Sequence, residues 1–116
     1  MLVDTSVWVD HLRRESAALV QGLTSGVVVT HPFVLGELSL GHLKPRSPVI
    51  GWLGDLLSAP MAEHDEVMAL AGRQKLRGSG IGWVDAHLIA SCLLFEARLW
   101  TLDSKLERVA RRIGVG

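Results

Sequence analysis

Short apolar runs with the length of β-strands recur along this chain of 116 residues, and two of them are followed by an aspartate. Asp4 comes after the run Leu2-Val3, and Asp103 comes after the run at 98–101. Helical patterns separate the runs, and strands joined through helices form a parallel sheet with helices on both faces. Ligands bind such sheets beyond the carboxyl ends of the strands. The pattern therefore predicts an α/β fold that places Asp4 and Asp103 at the same rim.

The remaining patterns fit a single domain over residues 1–116, because this length supports one core and not two. Strands are predicted at 2–3, at the β-branched run 27–29, at 98–101 and, as an edge strand, at 113–115. The first helix is predicted to be capped by Thr5 or Ser6 and to end near residue 12. Further helices are predicted at 16–23, 33–40, 49–57, 65–76, 83–97 and 104–112, with a basic loop at 44–48 and an extended segment at 60–62.

Two more acids stand in apolar settings far from Asp4 and Asp103. Glu37 lies between leucines in the predicted helix 33–40 and is expected to face inward, and Asp85 lies in the first turn of the helix 83–97, where the helix dipole favours a carboxylate. A carboxylate in an apolar setting is costly unless something neutralises it. Taken singly, Asp4 and Asp103 could be helix caps, Asp85 a dipole partner and Glu37 incidental. Taken together, the four acids predict one shared site for a divalent cation.

The charge balance favours a polyanionic substrate for such a site. The chain has twelve basic and twelve acidic residues, so that eight acids remain against twelve bases once the four site acids are set apart. A basic surface around an acidic site attracts polyanions, although ordinary solvated helix faces would show the same clusters. These clusters are Arg13-Arg14, Lys44 with Arg46, Arg73 with Lys75 and Arg77, and Arg108 with Arg111 and Arg112.

Composition also bears on where the protein works. No apolar stretch approaches the ~20 residues of a membrane span, and no export signal is evident. The single cysteine, Cys92, cannot form an internal disulfide and lies in an apolar helical stripe, where we expect it to be a core residue. We therefore expect a cytoplasmic protein without membrane association.

Four stretches, each built around one of the acids, follow one another in a characteristic order. They are Val3-Asp4-Thr5-Ser6-Val7-Trp8, Gly36-Glu37-Leu38, Trp83-Val84-Asp85-Ala86-His87-Leu88-Ile89-Ala90-Ser91 and Leu99-Trp100-Thr101-Leu102-Asp103. In order, spacing and total length they resemble the PIN-domain ribonucleases, specifically the VapC toxins of type II toxin–antitoxin pairs. Many members have a further acid and a Phe after the last acid, where this chain has Lys105 and Leu106. This departure implies fewer ligands on that side and makes Asp103 the weakest of the four assignments.

The resemblance implies a three-layer α/β/α fold with a short central parallel sheet, and an endoribonuclease that depends on Mg²⁺ or Mn²⁺. Because Mg²⁺ uses only one or two carboxylates directly, Asp4 and Asp85 are the expected direct ligands. Glu37 and Asp103 would then act through water or hold a second ion. Ser6 resembles the hydroxyl that orients the first acid or a metal-bound water, and Thr101 would do likewise.

Partners also follow from the resemblance: an RNA substrate, a second copy of the chain in a homodimer, and a small VapB-like antitoxin encoded beside it. The antitoxin would lay a helix or an extended tail across the groove, and an apolar patch could receive it. That patch is predicted around Leu12, Val49, Trp52 and Leu53. Trp8 and Trp52 are the tryptophans expected at such a contact, whereas Trp83 and Trp100 are expected in the core.

Other interpretations remain open at this point. The five histidines lack the spacing of a zinc site, and His87 is expected to be structural because it points to a different side of its helix from Asp85. A phosphoacceptor signalling domain would need an acidic pair on the first strand and a Lys after the last strand, and Asp4-Thr5-Ser6 does not supply the pair. The main alternative is a non-catalytic PIN-like module that acts through a partner protein in a DNA-binding repressor complex.

Overall fold

The computed structural model describes residues 1–41 and 48–116. Two short strands lie near the two ends of this region, and helices account for most of what separates them. In chain order the elements are β1 (Leu2–Val3), α1 (Thr5–Arg13), α2 (Ala17–Thr24), α3 (Pro32–Gly41), α4 (Pro48–Gly54), α5 (His64–Arg73), α6 (Trp83–Phe95), β2 (Leu99–Trp100) and α7 (Ser104–Ile113).

The sheet is parallel and very short. Leu2 pairs with Leu99, and Val3 pairs with Trp100. On the other side of β1, Leu2 forms a parallel bridge with Val29, and a further parallel bridge joins Thr30 to Ser58 beyond it. Strand β1 therefore lies in the middle of a narrow parallel arrangement. The predicted α/β class with a short central parallel sheet is confirmed.

Two predicted strands are wrong. The run 27–29 lies parallel to β1, and Val29 exchanges hydrogen bonds with Met1 and Val3, but only an isolated bridge forms and not a strand. The edge strand at 113–115 is replaced by the end of α7, where Gly114 takes the left-handed conformation (φ 98°) that a glycine adopts at no steric cost. The carbonyl of Val115 still accepts a 2.7 Å hydrogen bond from the Leu99 N–H, so this segment lies beside β2 without forming a strand.

Three helices end earlier than predicted. Helix α6 stops at Phe95 instead of residue 97, because Glu96 adopts a left-handed conformation. Helix α4 stops at Gly54 instead of residue 57, because the Leu57 carbonyl and the Ala59 N–H bond to the backbone of Thr30. Helix α5 stops at Arg73 instead of residue 76, because Lys75 adopts a left-handed conformation. The first helix is capped by Asp4, not by Thr5 or Ser6. Of the predicted loop 44–48, residues 44–47 lie outside the described residues, and Pro48 begins α4.

The core forms around the sheet and the inner faces of α3, α6 and α7. Cys92 is fully buried within it, and burial raises the pKa of its thiol to about 12, which confirms it as a core residue. Within the described residues, no helix has the length and apolar character needed to cross a bilayer. The largest fully buried side chains include Leu2, Leu19, Leu38, Leu88, Ile89 and Leu106.

Candidate active site

Asp4 is the buried acid at the centre of the site. It follows β1, and its N–H donates a 2.9 Å hydrogen bond to the Trp100 carbonyl, which continues the strand pairing by one residue. Its side chain then caps α1, because Oδ1 accepts a 2.7 Å hydrogen bond from the Thr5 N–H. The carboxylate is therefore held by the strand behind it and by the helix in front of it, and only 6% of the residue is exposed.

Two hydroxyl groups complete the surroundings of Asp4. Ser6 Oγ and Thr101 Oγ1 donate to Asp4 Oδ2 at 2.8 and 2.7 Å. Each hydroxyl in turn accepts a backbone N–H at 3.0 Å, from Leu102 and Asp103 respectively. An ionised carboxylate offers about four acceptor positions, and these contacts use three of them. One position on Oδ1 remains for a ligand.

Asp103 lies next to this hydroxyl pair at the start of α7. Its Oδ1 accepts hydrogen bonds from the N–H groups of Lys105 at 2.9 Å and Leu106 at 3.1 Å, so that Asp103 is the N-cap of the helix. The cap occupies one oxygen. Oδ2 has no hydrogen bond within the described part of the chain, and the residue is exposed.

Glu37 reaches the site from α3, but it is not directed inward as its leucine neighbours predicted. The residue is exposed, since Val34 and Leu38 occupy the buried face of the helix. Its Oε1 accepts a 2.7 Å hydrogen bond from Thr5 Oγ1, the residue after Asp4. This contact brings α3 to the mouth of the site.

Asp85 is the half-buried acid of the group. It lies in the first turn of α6, where Oδ2 accepts a 3.2 Å hydrogen bond from the N–H of Gly82, the N-cap residue. Burial raises the pKa of Asp85, and the negative charges of Asp4, Asp103 and Glu37 raise it further, against the opposing effect of the Gly82 hydrogen bond. The folded chain thus brings the four predicted acids into one electrostatic cluster.

An aromatic contact braces α3 against α6 beside this cluster. The His87 ring packs edge-on to Phe33 at 4.8 Å and to Trp83 at 5.0 Å between ring centroids. Burial lowers the pKa of His87, and the neighbouring imidazole of His64 lowers it further. His87 is therefore a packing residue, and its contacts hold the helices that carry Glu37 and Asp85.

Trp83 and Trp100 are less buried than expected. Trp83 is 41% exposed and Trp100 is half-buried, whereas Trp8 is buried and Trp52 is exposed. Trp83 covers His87 with one face of its ring and leaves the other at the surface.

The donor chemistry of the cluster fits a hard divalent cation. All four side chains offer carboxylate oxygens, which Mg²⁺ and Mn²⁺ prefer. Burial raises the pKa of Asp85, and the charges of the other three acids add to that effect. As the side chains stand, no group of three His, Cys, Asp or Glu residues within 1–41 and 48–116 could hold a metal ion together.

An apolar groove of about 440 Å³ lies on the α1 and α4 side of the molecule. Trp52 stands 66% exposed over it, and the largely buried Trp8 forms part of its lining. The predicted receiving patch is part of this groove. Its lining consists of Trp8, His11, Leu12, Glu15, Leu23, Val49, Trp52, Leu53 and Leu56.

Two positioning residues escaped the sequence analysis. Thr5 had been considered only as a cap, yet it holds Glu37. His31 caps α3, because its Nδ1 accepts a 3.0 Å hydrogen bond from the Phe33 N–H while its Nε2 contacts Ser91 Oγ at 3.0 Å. The only signal for His31 is its place before Pro32 at the helix start, where a capping side chain belongs.

Comparison with known proteins places these features in a family. The PIN domain model matches residues 1–112. Ribonuclease VapC32 from Mycobacterium tuberculosis is 46% identical over 116 residues in strain CDC 1551 / Oshkosh and in strain ATCC 25618 / H37Rv. The match covers 99% of this chain and 94% of each relative. This chain therefore belongs to the PIN-domain family, as a VapC-type member.

Proposed function

We propose that this protein is a metal-dependent endoribonuclease, that it hydrolyses RNA phosphodiester bonds with Mg²⁺ or Mn²⁺, and that it acts as the toxin of a type II toxin–antitoxin pair. The relative named a ribonuclease supports the class of reaction. The observation that carries the proposal is the convergence of Asp4, Glu37, Asp85 and Asp103 beside the short sheet, where Thr5 joins Asp4 to Glu37 and Asp85 lies within electrostatic reach of the other three acids.

Asp4 and Asp85 are the proposed direct ligands, and Glu37 and Asp103 are proposed to bind through water. When bound, the ion would activate water as a nucleophile, relieve charge on the phosphoryl oxygens and stabilise the leaving oxygen. This assignment is supported by the single acceptor position left on Asp4 Oδ1. It is also supported by the usual preference of Mg²⁺ for few direct carboxylates and several waters.

The chain's own residues prepare this chemistry. Ser6 and Thr101 donate to Asp4 Oδ2, so they favour the ionised carboxylate and fix its plane. Thr5 holds one oxygen of Glu37 and leaves the other toward solvent. Backbone N–H groups likewise bind one oxygen of Asp85 and one oxygen of Asp103 at the starts of their helices. The other oxygen of each acid has no protein partner in the described region. These oxygens can accept hydrogen bonds from water and orient it toward a phosphate.

The experiment is cleavage of single-stranded RNA with Mg²⁺, with Mn²⁺ and with EDTA. We expect cleavage with either metal, none with EDTA, and a loss of at least about 100-fold in Asp85→Asn. Asp85→Asn is preferred to Asp4→Asn as the first variant. In Asp4→Asn the NH₂ group would replace one of two oxygens that now accept hydrogen bonds, so a donor would face either the Thr5 N–H or the two hydroxyl donors. The fold would therefore lose stability along with activity.

Asp65→Asn is the matched control, since Asp65 also lies in the first turn of a helix but is exposed on α5. It should cleave RNA like the wild type. Metal-independent cleavage, or full activity in Asp85→Asn, would reject the proposed mechanism. No cleavage under any condition, with the antitoxin absent, would favour the non-catalytic module.

A VapB-like antitoxin is the proposed occupant of the apolar groove. The exposed Trp52 supports a protein partner there, because such a partner would cover its indole ring and the apolar side chains around it. The product of the neighbouring reading frame should inhibit cleavage. Trp52→Asp should resist that inhibition while it cleaves RNA normally. Equal inhibition of the wild type and of Trp52→Asp would show that the antitoxin does not bind in this groove.

A homodimer is also proposed. Leu93 and Leu94 at the end of α6 are 43% and 51% exposed, and they share a shallow apolar cavity with Ala90 and Leu70. A second copy would cover this apolar surface. Sedimentation should give twice the monomer mass for the wild type and a smaller mass for Leu94→Glu.

A further inference from the structure

Helix α7 is divided sharply into an apolar and a basic face. Leu106, Val109 and Ala110 are buried against the core. With 3.6 residues per turn, the opposite face groups the exposed side chains into one stripe about 15 Å long. That stripe consists of Ser104, Lys105, Arg108, Arg111 and Arg112. The only acid of the helix, Glu107, pairs with Arg111 at 2.8 Å and leaves the other cations uncompensated by an ion pair within the described residues.

The stripe begins at the carboxylate cluster. Asp103 caps α7, and Lys105 follows within the same turn. The aliphatic stem of Lys105 lies over Gly80, where a Cβ atom would stand 2.7 Å from Lys105 Cδ. Gly80 has a φ of 90° and precedes the Gly82 that binds Asp85. Lys105 therefore crosses from the helix of Asp103 to the segment that leads into the helix of Asp85.

A second basic segment runs beside the stripe. Arg112 Nη2 donates a 2.8 Å hydrogen bond to the Gln74 carbonyl, and Lys105 contacts Gly80 at the other end. The segment 74–80 is thus tied to α7 at both ends. It carries Lys75 and Arg77, both of which are exposed. The two segments together form one cationic surface, defined here as the α7 surface, with residues Lys75, Arg77, Lys105, Arg108, Arg111 and Arg112.

Lys75 occupies its position at a conformational cost. The end of α5 forms a Schellman motif, in which the Leu76 N–H bonds to the Ala71 carbonyl and the Lys75 N–H bonds to the Gly72 carbonyl. The residue in the left-handed conformation of this motif is usually glycine, but here it is Lys75, with a φ of 53°. A cation is therefore present where the local backbone favours glycine, and such exceptions concentrate at functional positions.

We propose that the α7 surface binds the phosphates of the RNA strand as it leaves the carboxylate cluster. This inference rests on the proposed function, because it assigns the path of that substrate. The cluster is acidic and would repel phosphates by itself, so that a strand must be held by cations close by. The α7 surface supplies those cations from Lys105 outward, and backbone contacts of this kind bind RNA without reading its sequence.

Binding is tested in the Asp85→Asn variant, so that the RNA stays intact whatever the wild type does. The probe is a fluorescent single-stranded RNA of mixed sequence, and anisotropy is measured at several KCl concentrations. We expect Lys105→Gln/Arg108→Gln to raise the dissociation constant at least about 10-fold. The slope of log K against log [KCl] should fall by about 1.4, because each phosphate contact on a single strand contributes about 0.7.

The matched control removes two exposed cations elsewhere, as Arg13→Gln/Arg14→Gln at the end of α1. It should change the dissociation constant less than about 2-fold, since cations beyond a Debye length act weakly. Equal weakening by both pairs would show that overall charge holds the RNA, and it would overturn the proposal. Unchanged binding in the α7 pair would overturn it as well.

Lys75→Gly provides a second test, in which the stability of the fold and the affinity for RNA should change in opposite directions. Glycine should raise the melting temperature by about 3 °C because it relieves the left-handed residue, while RNA binding weakens. Glu96→Gly is the control, because Glu96 is exposed and also has a φ of 53°, at the end of α6. It should raise the melting temperature without weakening binding. Failure of cleavage in the wild type with normal binding would reject the proposed function and not this inference.

Discussion

Thr5 Oγ1 lies 2.7 Å from Glu37 Oε1 and donates a hydrogen bond to it across 32 residues of sequence. Thr5 is also the first residue of α1, and its N–H binds the Asp4 carboxylate. One residue therefore contacts two of the four acids through different atoms. The Asp4 and Glu37 carboxylates are therefore held close together by hydrogen bonds to Thr5, in addition to any packing of α1 on α3.

Replacement of Thr5 by valine should release Glu37 without unfolding the protein. The N–H contact to Asp4 stays, and the lost hydrogen bond is at the surface, so the free energy of unfolding should change by less than about 1 kcal/mol. RNA cleavage should fall about 10-fold at limiting Mg²⁺, as expected for a residue that orients a ligand. Thr5→Ser keeps the hydroxyl and should retain cleavage. Equal activity of the valine and serine variants would show that Glu37 needs no such support.

Thr101→Val should weaken both the fold and the site. It removes the donor to Asp4 Oδ2 and the acceptor for the Asp103 N–H, which are buried or nearly so. The expected loss is about 1–3 kcal/mol in urea unfolding. Thr24→Val, which removes an exposed bond to the Val20 carbonyl, is the control and should cost less than about 1 kcal/mol. A loss in Thr101→Val no larger than in this control would contradict the network.

Asp85 should make the metal-free protein less stable as pH rises. Its pKa is raised in the folded state, so the folded chain binds this proton more tightly than the unfolded chain. The resulting stability is present below the ordinary pKa of 3.8 and is lost as pH rises through the raised value. In EDTA at pH 7, Asp85→Asn should therefore melt at a higher temperature than the wild type, and Mg²⁺ should raise the melting temperature of the wild type alone. A larger Mg²⁺ effect on Asp85→Asn would refute this assignment.

The stability that depends on His31 should fall as pH falls, which is the opposite of the pH dependence expected for Asp85. Ser91 Oγ gives its proton to the Pro60 carbonyl at 2.6 Å, so His31 Nε2 must donate to Ser91 and Nδ1 must accept from Phe33. Burial, with a smaller contribution from the nearby His87, lowers the pKa of His31 to about 4. Stability is therefore full above the ordinary pKa of 6.5 and falls as pH drops toward 4, by about 3 kcal/mol in total.

The measurement is urea unfolding of the wild type and His31→Asn between pH 7 and about pH 4, in EDTA. Asparagine can keep the cap on Phe33 but does not titrate. The difference between the two proteins isolates His31 from Asp85 and the other acids, and it should shrink as pH falls. A constant difference would mean that His31 takes up its proton without loss of the cap.

The positions of Asp4 and Asp103 could be predicted from the sequence, because residues that follow paired parallel strands lie at the carboxyl edge of the sheet. The position of Asp85 could be predicted as well, because its place in a first turn is a local property. The exposure of Glu37 could not be found in this way, since Leu35 and Leu40 looked like a buried face and only the packing of α3 shows that Val34 and Leu38 form it. Thr5 was missed because its partner is distant in sequence.

The order of the chain has a consequence for synthesis. Asp4 is made 97 residues before Thr101, and both Ser6 and Thr101 bind the same carboxylate oxygen. A growing polypeptide therefore holds Asp4 with one of these two hydroxyl groups long before the other exists. A chain truncated ahead of Thr101 would lack the donor that joins the first acid to the segment leading into α7.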